Sequence, residues 1–503
     1  MNTKRLLTSL LLVAAAGAGA QTFTAYTSTD SLFWKKSKVS LQGKTARTPD
    51  MTVTANTAGK DTGHVFRAWG TCFNELDWDA LNLLTRKEQE EVMSRIFAPD
   101  GDLKFTRGRI SMNANDYSRS WYSCDDVAGD FQLRHFNIER DKQGIIPLIR
   151  AAQRYNPNMT FWVSPWSPPA WMKINQDYCV VSSKFNTQDA RKDYLLFGTV
   201  GKIDEDEVKM AGQQQGKFPR QLAAQNYFIQ DERYLKSYAD MFCRFIDLYA
   251  EQNVPIDMVM YQNEAYSYTP YPGCAWTADG IIRFNRDFLA PRLKERHPDV
   301  KLYLGTFNTN RLDHVEKLLA DSALCSKIEG MGFQWEGREI LPEIRKKHPE
   351  LKYISSESEC GWGSFDWKAA EHTFELINHY LGTGCNEYNF WNIILTDIGE
   401  SPWGWKQNAL VRVDSAQKSY TLTPEYHAVR HYTDFITEGS QIVGYKPEGS
   451  DKMPVLIART PSGSYSVMAA NFNEKDRKLT VSINGKYLNV ILKPHSLNSF
   501  SVD

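Results

Sequence analysis

Between residues 61 and 438 the chain alternates eight times between a short apolar or aromatic run and a segment with helical spacing. The runs are His64–Trp69, Phe105–Met112, Thr160–Ser164, Asp257–Asn263, Lys301–Thr306, Gly330–Trp335, Lys352–Ser356 and Asn386–Asn392. The segments after them are Arg86–Phe97, Ile138–Tyr155, Glu232–Gln252, Ala278–His297, Leu312–Ala320, Ile340–Lys347, Trp367–Leu381 and Pro424–Thr437. Runs without a polar face read as strands buried on both sides, as a helix-covered parallel sheet requires. In Glu232–Gln252 the residues Leu235, Tyr238, Met241, Phe242, Phe245, Ile246 and Tyr249 fall on one stripe, which the helix would turn inward. Eight strand–helix units predict an α/β fold, a closed (β/α)8 TIM barrel. A doubly wound open sheet is the alternative, but no G-x-G-x-x-G follows the first run to support it.

The flanks read differently. Residues 21–60 are Thr-rich, with strand-like pieces at Thr22–Tyr26, Lys38–Leu41 and Met51–Ala55. From residue 439 to 503 helical spacing stops. Short alternating runs (Gln441–Tyr445, Pro454–Thr460, Tyr465–Phe472, Lys478–Ile483, Leu488–Leu492 and Ser499–Val502) are separated by Gly, Pro and Asn turns. An all-β sandwich is expected here, built from the C-terminal segment and completed by the N-terminal strands. Two interruptions break the barrel pattern. Asn175–Gln230 follows the third run and would either wall a site or decorate the surface. Thr396–Thr423 follows the eighth and carries Trp403 and Trp405.

At the N-terminus, Lys4 and Arg5 precede the apolar run Leu6–Ala18 and the small-residue sequence Ala18-Gly19-Ala20. That is the pattern of a cleaved export leader spanning residues 1–20, too short to cross a bilayer. A periplasmic or extracellular protein is expected, with no membrane insertion after cleavage. With 59 basic and 60 acidic residues the chain has no electrostatic case for nucleic acid or acidic membranes. The eight cysteines include no C-x-x-C pair, so no structural zinc site is expected; export would permit disulfides, but their pairing cannot be read from sequence. No cofactor or metal is predicted, and a monomer is expected.

The chemistry concentrates at two strand ends. Ile256–Tyr266 is an apolar run that closes on Gln262-Asn263-Glu264, and Leu351–Cys360 is another that closes on Glu357. Carboxylates where barrel strands meet their following loops are where this fold places reactions. Two such groups suit glycosidic-bond hydrolysis, one giving a proton to the leaving oxygen and the other attacking the sugar carbon. Asn-Glu occurs four times, and only Asn263-Glu264 closes a buried run with an aromatic, Pro-rich loop behind it. Glu359, two residues past Glu357, is the rival nucleophile, and Glu75, just after the first run, is a candidate substrate contact.

Ser164-Pro-Trp-Ser-Pro-Pro-Ala-Trp-Met-Lys173 resembles the signature of glycoside hydrolase family 30, a clan A family that includes glucosylceramidase-like enzymes. Gln262-Asn263-Glu264 resembles its acid/base motif and Ser356-Glu357-Ser-Glu-Cys-Gly361 its nucleophile segment. Arg107-Gly-Arg109-Ile-Ser-Met-Asn-Ala-Asn-Asp116-Tyr-Ser118 is similar to its second strand, and Phe390-Trp391-Asn392 to its eighth. The resemblance implies a barrel-plus-sandwich fold and retaining hydrolysis of an oligo- or polysaccharide with β linkages. It implies Glu264 as acid/base, Glu357 as nucleophile, Asn263 on the sugar 2-hydroxyl and Arg109 paired with the nucleophile. Trp166 and Trp391 would be stacking walls, and Asp116 would sit in the sugar pocket. The sixth-strand segment Gly332-Phe-Gln334-Trp335-Glu336 departs from the family, whose members commonly carry His and Tyr there to orient the nucleophile; Gln334 and Trp335 are expected at the sugar. The departures place the chain in an outlying subfamily, some of which resemble β-1,6-galactanases, with β-1,6-linked glucan or galactan as candidate substrates. A catalytically silent glycan-binding protein on the same scaffold is the competing reading, and a metal-dependent barrel hydrolase a third.

Overall fold

A computed structural model describes residues 22–44, 46, 48–57, 63–197, 223–449 and 453–502. The leader pattern at residues 1–20 and the centre of the Asn175–Gln230 interruption lie outside the described residues.

Eight parallel strands close into a barrel: Ala68–Phe73, Arg107–Met112, Thr160–Pro165, Ile256–Met260, Lys301–Phe307, Gly330–Phe333, Lys352–Ser355 and Glu387–Phe390. The first strand pairs with the second and the eighth, closing the cylinder. Trp162, Met258, Met260, Tyr303 and Ile354 fill the barrel interior, so it is a packed core and not a pore. Alternation along the second strand sends Arg107 and Arg109 to the same side two residues apart. Arg107 bonds Asp257 and pairs with Glu387, while Arg109 lies further along toward the C-terminal rim.

The first strand is a correction. His64–Val65 pairs with Gln441–Val443 at the edge of the β domain, and the barrel strand begins only at Ala68. The chain crosses between domains at Phe66-Arg67, where Phe66 N–H donates to Ser440 O and Arg67 N–H to Asn386 O. Apolar residues on both sides of that crossing hide it from periodicity. Two helices are also adjusted. Ile138–Tyr155 becomes helical only over Ile145–Gln153, after a short turn that ends at Gly144. Ala278–Arg296 contains a wider π turn at Phe284–Leu289, just before Pro291, which has no N–H to continue the regular ladder.

The β domain joins both termini. Thr22–Thr29 pairs antiparallel with Ser496–Val502, and Met51–Ala55 lies between Tyr445–Gly449 and Arg477–Ile483. The long strand Leu32–Gln42 pairs with Thr22–Thr29 and, at Leu41 and Gln42, with Lys486–Leu492, so it connects the two layers. Ala25, Val53, Val467, Leu479, Val481 and Phe500 share the core between them. This domain is fastened to the barrel through the helix Pro424–Thr433. Buried His431 bonds Ser499 Oγ at 2.8 Å and Ser28 Oγ at 2.9 Å, and the Arg430 guanidinium sits 4.2 Å from the Trp34 ring centre.

A three-stranded sheet of Ile394–Thr396, Val411–Asp414 and Ser419–Leu422 occupies the second interruption and presents the loop carrying Trp403 and Trp405. The described part of the first interruption packs against that loop. Trp403 Nε1–H donates to Tyr178 Oη at 3.2 Å, and a side chain at Gly404 would collide with the Phe185 ring. Fully buried Lys173 donates to Cys179 O and Gly273 O, tying this segment to the loop after the fourth strand.

Candidate active site

At the C-terminal rim of the barrel a cavity of about 360 Å³ opens over the strand ends. That volume falls within the range of small-ligand sites. Glu264 and Glu357 both line it, with Asp116, Trp166, Asn263 and Trp335. Asp116, Trp166, Trp335 and Glu357 follow the second, third, sixth and seventh strands, and Asn263 and Glu264 both follow the fourth, so residues far apart in the chain meet on one cavity.

Glu264 lies past the end of the fourth strand in a left-handed conformation, with φ of 46°. Such a backbone is uncommon for a residue with a side chain and persists where the surroundings hold it. Here Glu264 N–H donates to Thr306 Oγ1 at 3.1 Å, and Ser267 N–H closes a turn onto Glu264 O at 3.0 Å. The carboxylate accepts from two neutral groups, Gln334 Nε2 at 2.9 Å and Ser267 Oγ at 2.7 Å. Burial and then the charge of Glu357 push its pKa up to about 7.

Glu357 has different company. Arg109 Nη1 donates to its Oε2 at 2.6 Å, and Trp335 Nε1 approaches Oε1 at 3.4 Å. Burial raises its pKa, and the Arg109 charge acts against that rise. Arg109 is itself fully buried, and its donors are all placed: two contacts to Ser164 Oγ, and one each to Ser356 O, Glu357 and Asn263 Oδ1. The guanidinium lies 4.3 Å from the Trp166 ring centre and 4.8 Å from that of Trp162. A cation held this tightly can keep one carboxylate ionised while its neighbour stays protonated.

Asn263 Oδ1 receives Arg109 Nη2 at 2.7 Å, Thr306 Oγ1 at 3.0 Å and Gln334 Nε2 at 3.3 Å. Three donors on the oxygen fix the amide's orientation and turn its nitrogen away from them. Asp116 lines the cavity with Oδ1 buried and without a hydrogen-bond partner among the described residues. Burial, then the charges of Glu357 and Glu264, raise its pKa well above the usual carboxylate range.

Several expectations are corrected here. Gln334 does not line the cavity; it bridges Glu264, Asn263 and Ser356 Oγ beneath it. Trp391 stacks behind Trp166, with ring centres 5.2 Å apart, and is not among the lining residues. Arg109 also stays beneath the surface and acts through its partners. Glu359 points away, paired with Arg338 and with His372 Nε2 at 2.9 Å. Glu75 is fully buried and bound by Arg140 and Arg119, which makes it structural. Among the described residues no group of three or more His, Cys, Asp or Glu side chains is placed to hold a metal ion, and all eight cysteines are free thiols. No helix among them is long and apolar enough to cross a membrane.

The cavity mouth was not legible from motifs. Ser267, Tyr271 and Asn308 line it, and Trp362, Trp403 and Trp405 frame it with aromatic rings. Trp362 is 67% exposed and meets Trp405 edge-on at 5.0 Å. The sequence signals near these residues are the aromatic, Pro-rich loop behind Glu264, which holds Ser267 and Tyr271, and the Trp403 and Trp405 of the second interruption.

The family model described as the glycosyl hydrolase family 30 TIM-barrel domain matches residues 66–193 and 219–436. Mouse lysosomal acid glucosylceramidase is 24% identical over 433 residues, covering 81% of this chain and 75% of its own length. An endo-1,6-beta-D-glucanase of Neurospora crassa is 22% identical over 493 residues, covering 92% of this chain and 91% of the fungal one. A crystal structure of SrfJ from Salmonella typhimurium superposes with a TM-score of 0.79 at 19% identity, over 96% of this chain and 99% of that one. With the family model matching most of the barrel and a pair of buried carboxylates at its rim, the chain belongs to glycosyl hydrolase family 30 and is a glycosidase.

Proposed function

We propose that the chain is an exported, retaining β-glycoside hydrolase acting on a β-1,6-linked glucan or galactan, with Glu357 as nucleophile and Glu264 as acid/base. The observation that carries this reading is the unequal company of two carboxylates on one cavity. Glu357 is bonded to a buried guanidinium, whereas Glu264 receives only neutral donors and has its pKa held at about 7. One is therefore poised to attack and the other to release a proton.

In the first step Glu264 protonates the glycosidic oxygen while Glu357 attacks the anomeric carbon from the opposite face. The carbon–oxygen bond breaks, the aglycone leaves as an alcohol, and the sugar is held as an ester on Glu357. In the second step the Glu264 carboxylate takes a proton from water, whose oxygen attacks the anomeric carbon. The ester bond breaks, Glu357 is again a carboxylate, and the sugar leaves with its original configuration. The Asn263 amide nitrogen, turned from its three donors, is the group to bond the 2-hydroxyl. The Trp166 face supports stacking, and Asp116, whose buried Oδ1 has no partner among the described residues, can bond a sugar hydroxyl. Support for the β-1,6 linkage comes from the fungal relative, which matches over nearly the whole of both chains. Support for export comes from the Lys4–Ala20 pattern.

The test is a mechanism-based trap. The protein is incubated with 2-deoxy-2-fluoro-β-glycosyl fluorides of the gluco, galacto, fuco and xylo series, and adducts are mapped by peptide mass spectrometry. An ester on Glu357 is expected, and the sugar that labels fastest identifies the substrate series. An ester on Glu359 would overturn the nucleophile assignment. A folded protein that none of the sugars labels, and that releases no aglycone from any aryl β-glycoside or β-1,6-glucan oligosaccharide, would be the silent glycan binder.

A further inference from the structure

Resting on Glu264 as the acid/base, we propose that Ser267 and Asn308 are positioning residues that hold the Glu264 carboxyl in both of its protonation states. A retaining enzyme needs that carboxyl as an acid in one half-reaction and as a base in the other. A fixed donor such as the Gln334 amide, on Oε1 at 2.9 Å, suits an oxygen that never carries the proton. The proton therefore belongs on Oε2, and Oε2 faces a hydroxyl, Ser267 Oγ, at 2.7 Å. A hydroxyl can donate to a carboxylate and accept from a carboxylic acid.

Changing roles requires the hydroxyl's own hydrogen to have somewhere else to go. Asn308 supplies the counterpart. Its Nδ2 donates to Ser267 Oγ at 2.6 Å, while its Oδ1 is buried without a hydrogen-bond partner among the described residues. In the carboxylate state Asn308 Nδ2–H donates to Ser267, and Ser267 O–H donates to Glu264 Oε2. In the acid state before proton transfer, a half-turn of the Asn308 amide presents Oδ1, Ser267 O–H donates to it, and Glu264 Oε2–H donates to Ser267, from which it turns to the glycosidic oxygen as that bond breaks. Only hydrogen-bond directions reverse, and no proton crosses Ser267. The Ser267 N–H bond to Glu264 O keeps the hydroxyl beside the carboxyl throughout. The other titratable or charged groups around Glu264 are Glu357 and Arg109, with Asp116 and Tyr271 across the cavity and Glu336 on its wall. Ser267 Oγ makes the hydrogen bond to Oε2.

The experiment compares Ser267→Ala, Ser267→Thr and Asn308→Leu with the parent on three readouts. These are the pH profile of kcat/KM, kcat on an activated aryl β-glycoside whose turnover is limited by deglycosylation, and kcat/KM on substrates of rising leaving-group pKa. Thermal melting checks folding. Ser267→Ala is expected to lose on the order of 10-fold in both the acid-assisted and the base-assisted step, the worth of a hydrogen bond to a charged group. Its basic limb should move to higher pH, because a donor to the carboxylate is gone. Asn308→Leu should follow in the same direction, and Ser267→Thr, which keeps the hydroxyl, should recover most of the loss. An unmoved basic limb with one uniform loss across leaving groups would overturn the proposal and leave Ser267 a packing residue. Glu264→Ala is run beside them. Rescue by azide with a β-glycosyl azide product upholds Glu264 as acid/base, so that a failure of Ser267→Ala counts against the pair alone. Absence of that rescue would instead sink the acid/base assignment.

Discussion

Replacing Arg109 by Met tests the electrostatic asymmetry on which the mechanism rests. The guanidinium is 2.6 Å from Glu357 Oε2. At a charge separation of about 4 Å and an effective dielectric near 20, that attraction is worth roughly 4 kcal/mol, or about three pH units at most. Carboxylates beside a single cation commonly move by about one to three units. The nucleophile must be ionised, so the acid limb of kcat/KM reports its titration. Without the cation the acid limb should move to higher pH by about one to three units. The basic limb, set by Glu264 at about 7, should also rise, but less, since Arg109 is a minor influence there compared with burial and Glu357. The active window therefore narrows and shifts upward, with activity below the limb falling about 10-fold per unit. Arg109→Lys keeps a charge but not the fork that serves Ser164 and Asn263, so it should hold the acid limb near the parent's while losing kcat. The assay is a pH–rate profile on whichever activated aryl β-glycoside turns over fastest, with melting curves to show the variants are folded. Breaking a buried pair costs about 3–5 kcal/mol of stability, so the melt also sets the usable temperature. A folded Arg109→Met protein with an unmoved acid limb would refute the reasoning.

Two further outcomes follow from the same structure. Glu359→Gln should keep turnover within about 10-fold of the parent, because its carboxylate is committed to Arg338 and His372; a loss of several thousandfold, measured against Glu357→Gln, would reassign the nucleophile. His431, locked between Ser28 and Ser499, has its pKa lowered by burial to about 3. The unfolded chain, with an ordinary histidine, binds more protons between that value and about 6.5, so stability is lost as pH falls through this window. Melting temperature should drop between pH 6.5 and 4, and His431→Gln should flatten that drop without abolishing it, since His64, His314 and His427 are lowered as well. An identical pH dependence in the variant would exclude His431 as a contributor.

Much of the architecture is legible in the chain because it rests on local periodicity. Eight strands and their helices follow from the alternation of apolar runs with 3.6-residue stripes. Glu264 and Glu357 stand out because each closes a run with no polar face. The misplaced first strand shows the limit: apolar content alone cannot say which of two domains a strand joins, and His64–Val65 went to the β domain.

What the sequence by itself determined is therefore the barrel, the two-ended β domain and the strand ends on which the two carboxylates stand. What only the tertiary structure decided is where side chains beyond those ends point. Glu357 and Glu359 are two residues apart, yet one lines the cavity and the other pairs with Arg338 on the outside. Gln334 turned under the cavity to bridge Glu264 and Asn263, Trp391 went behind Trp166, and Ser267 and Asn308 met at Glu264 from different loops. Past a strand's last ladder bond the two-residue alternation no longer holds. Side-chain direction then depends on loop dihedrals, such as the left-handed Glu264 and Trp335, and on which distant partner can satisfy a buried polar group.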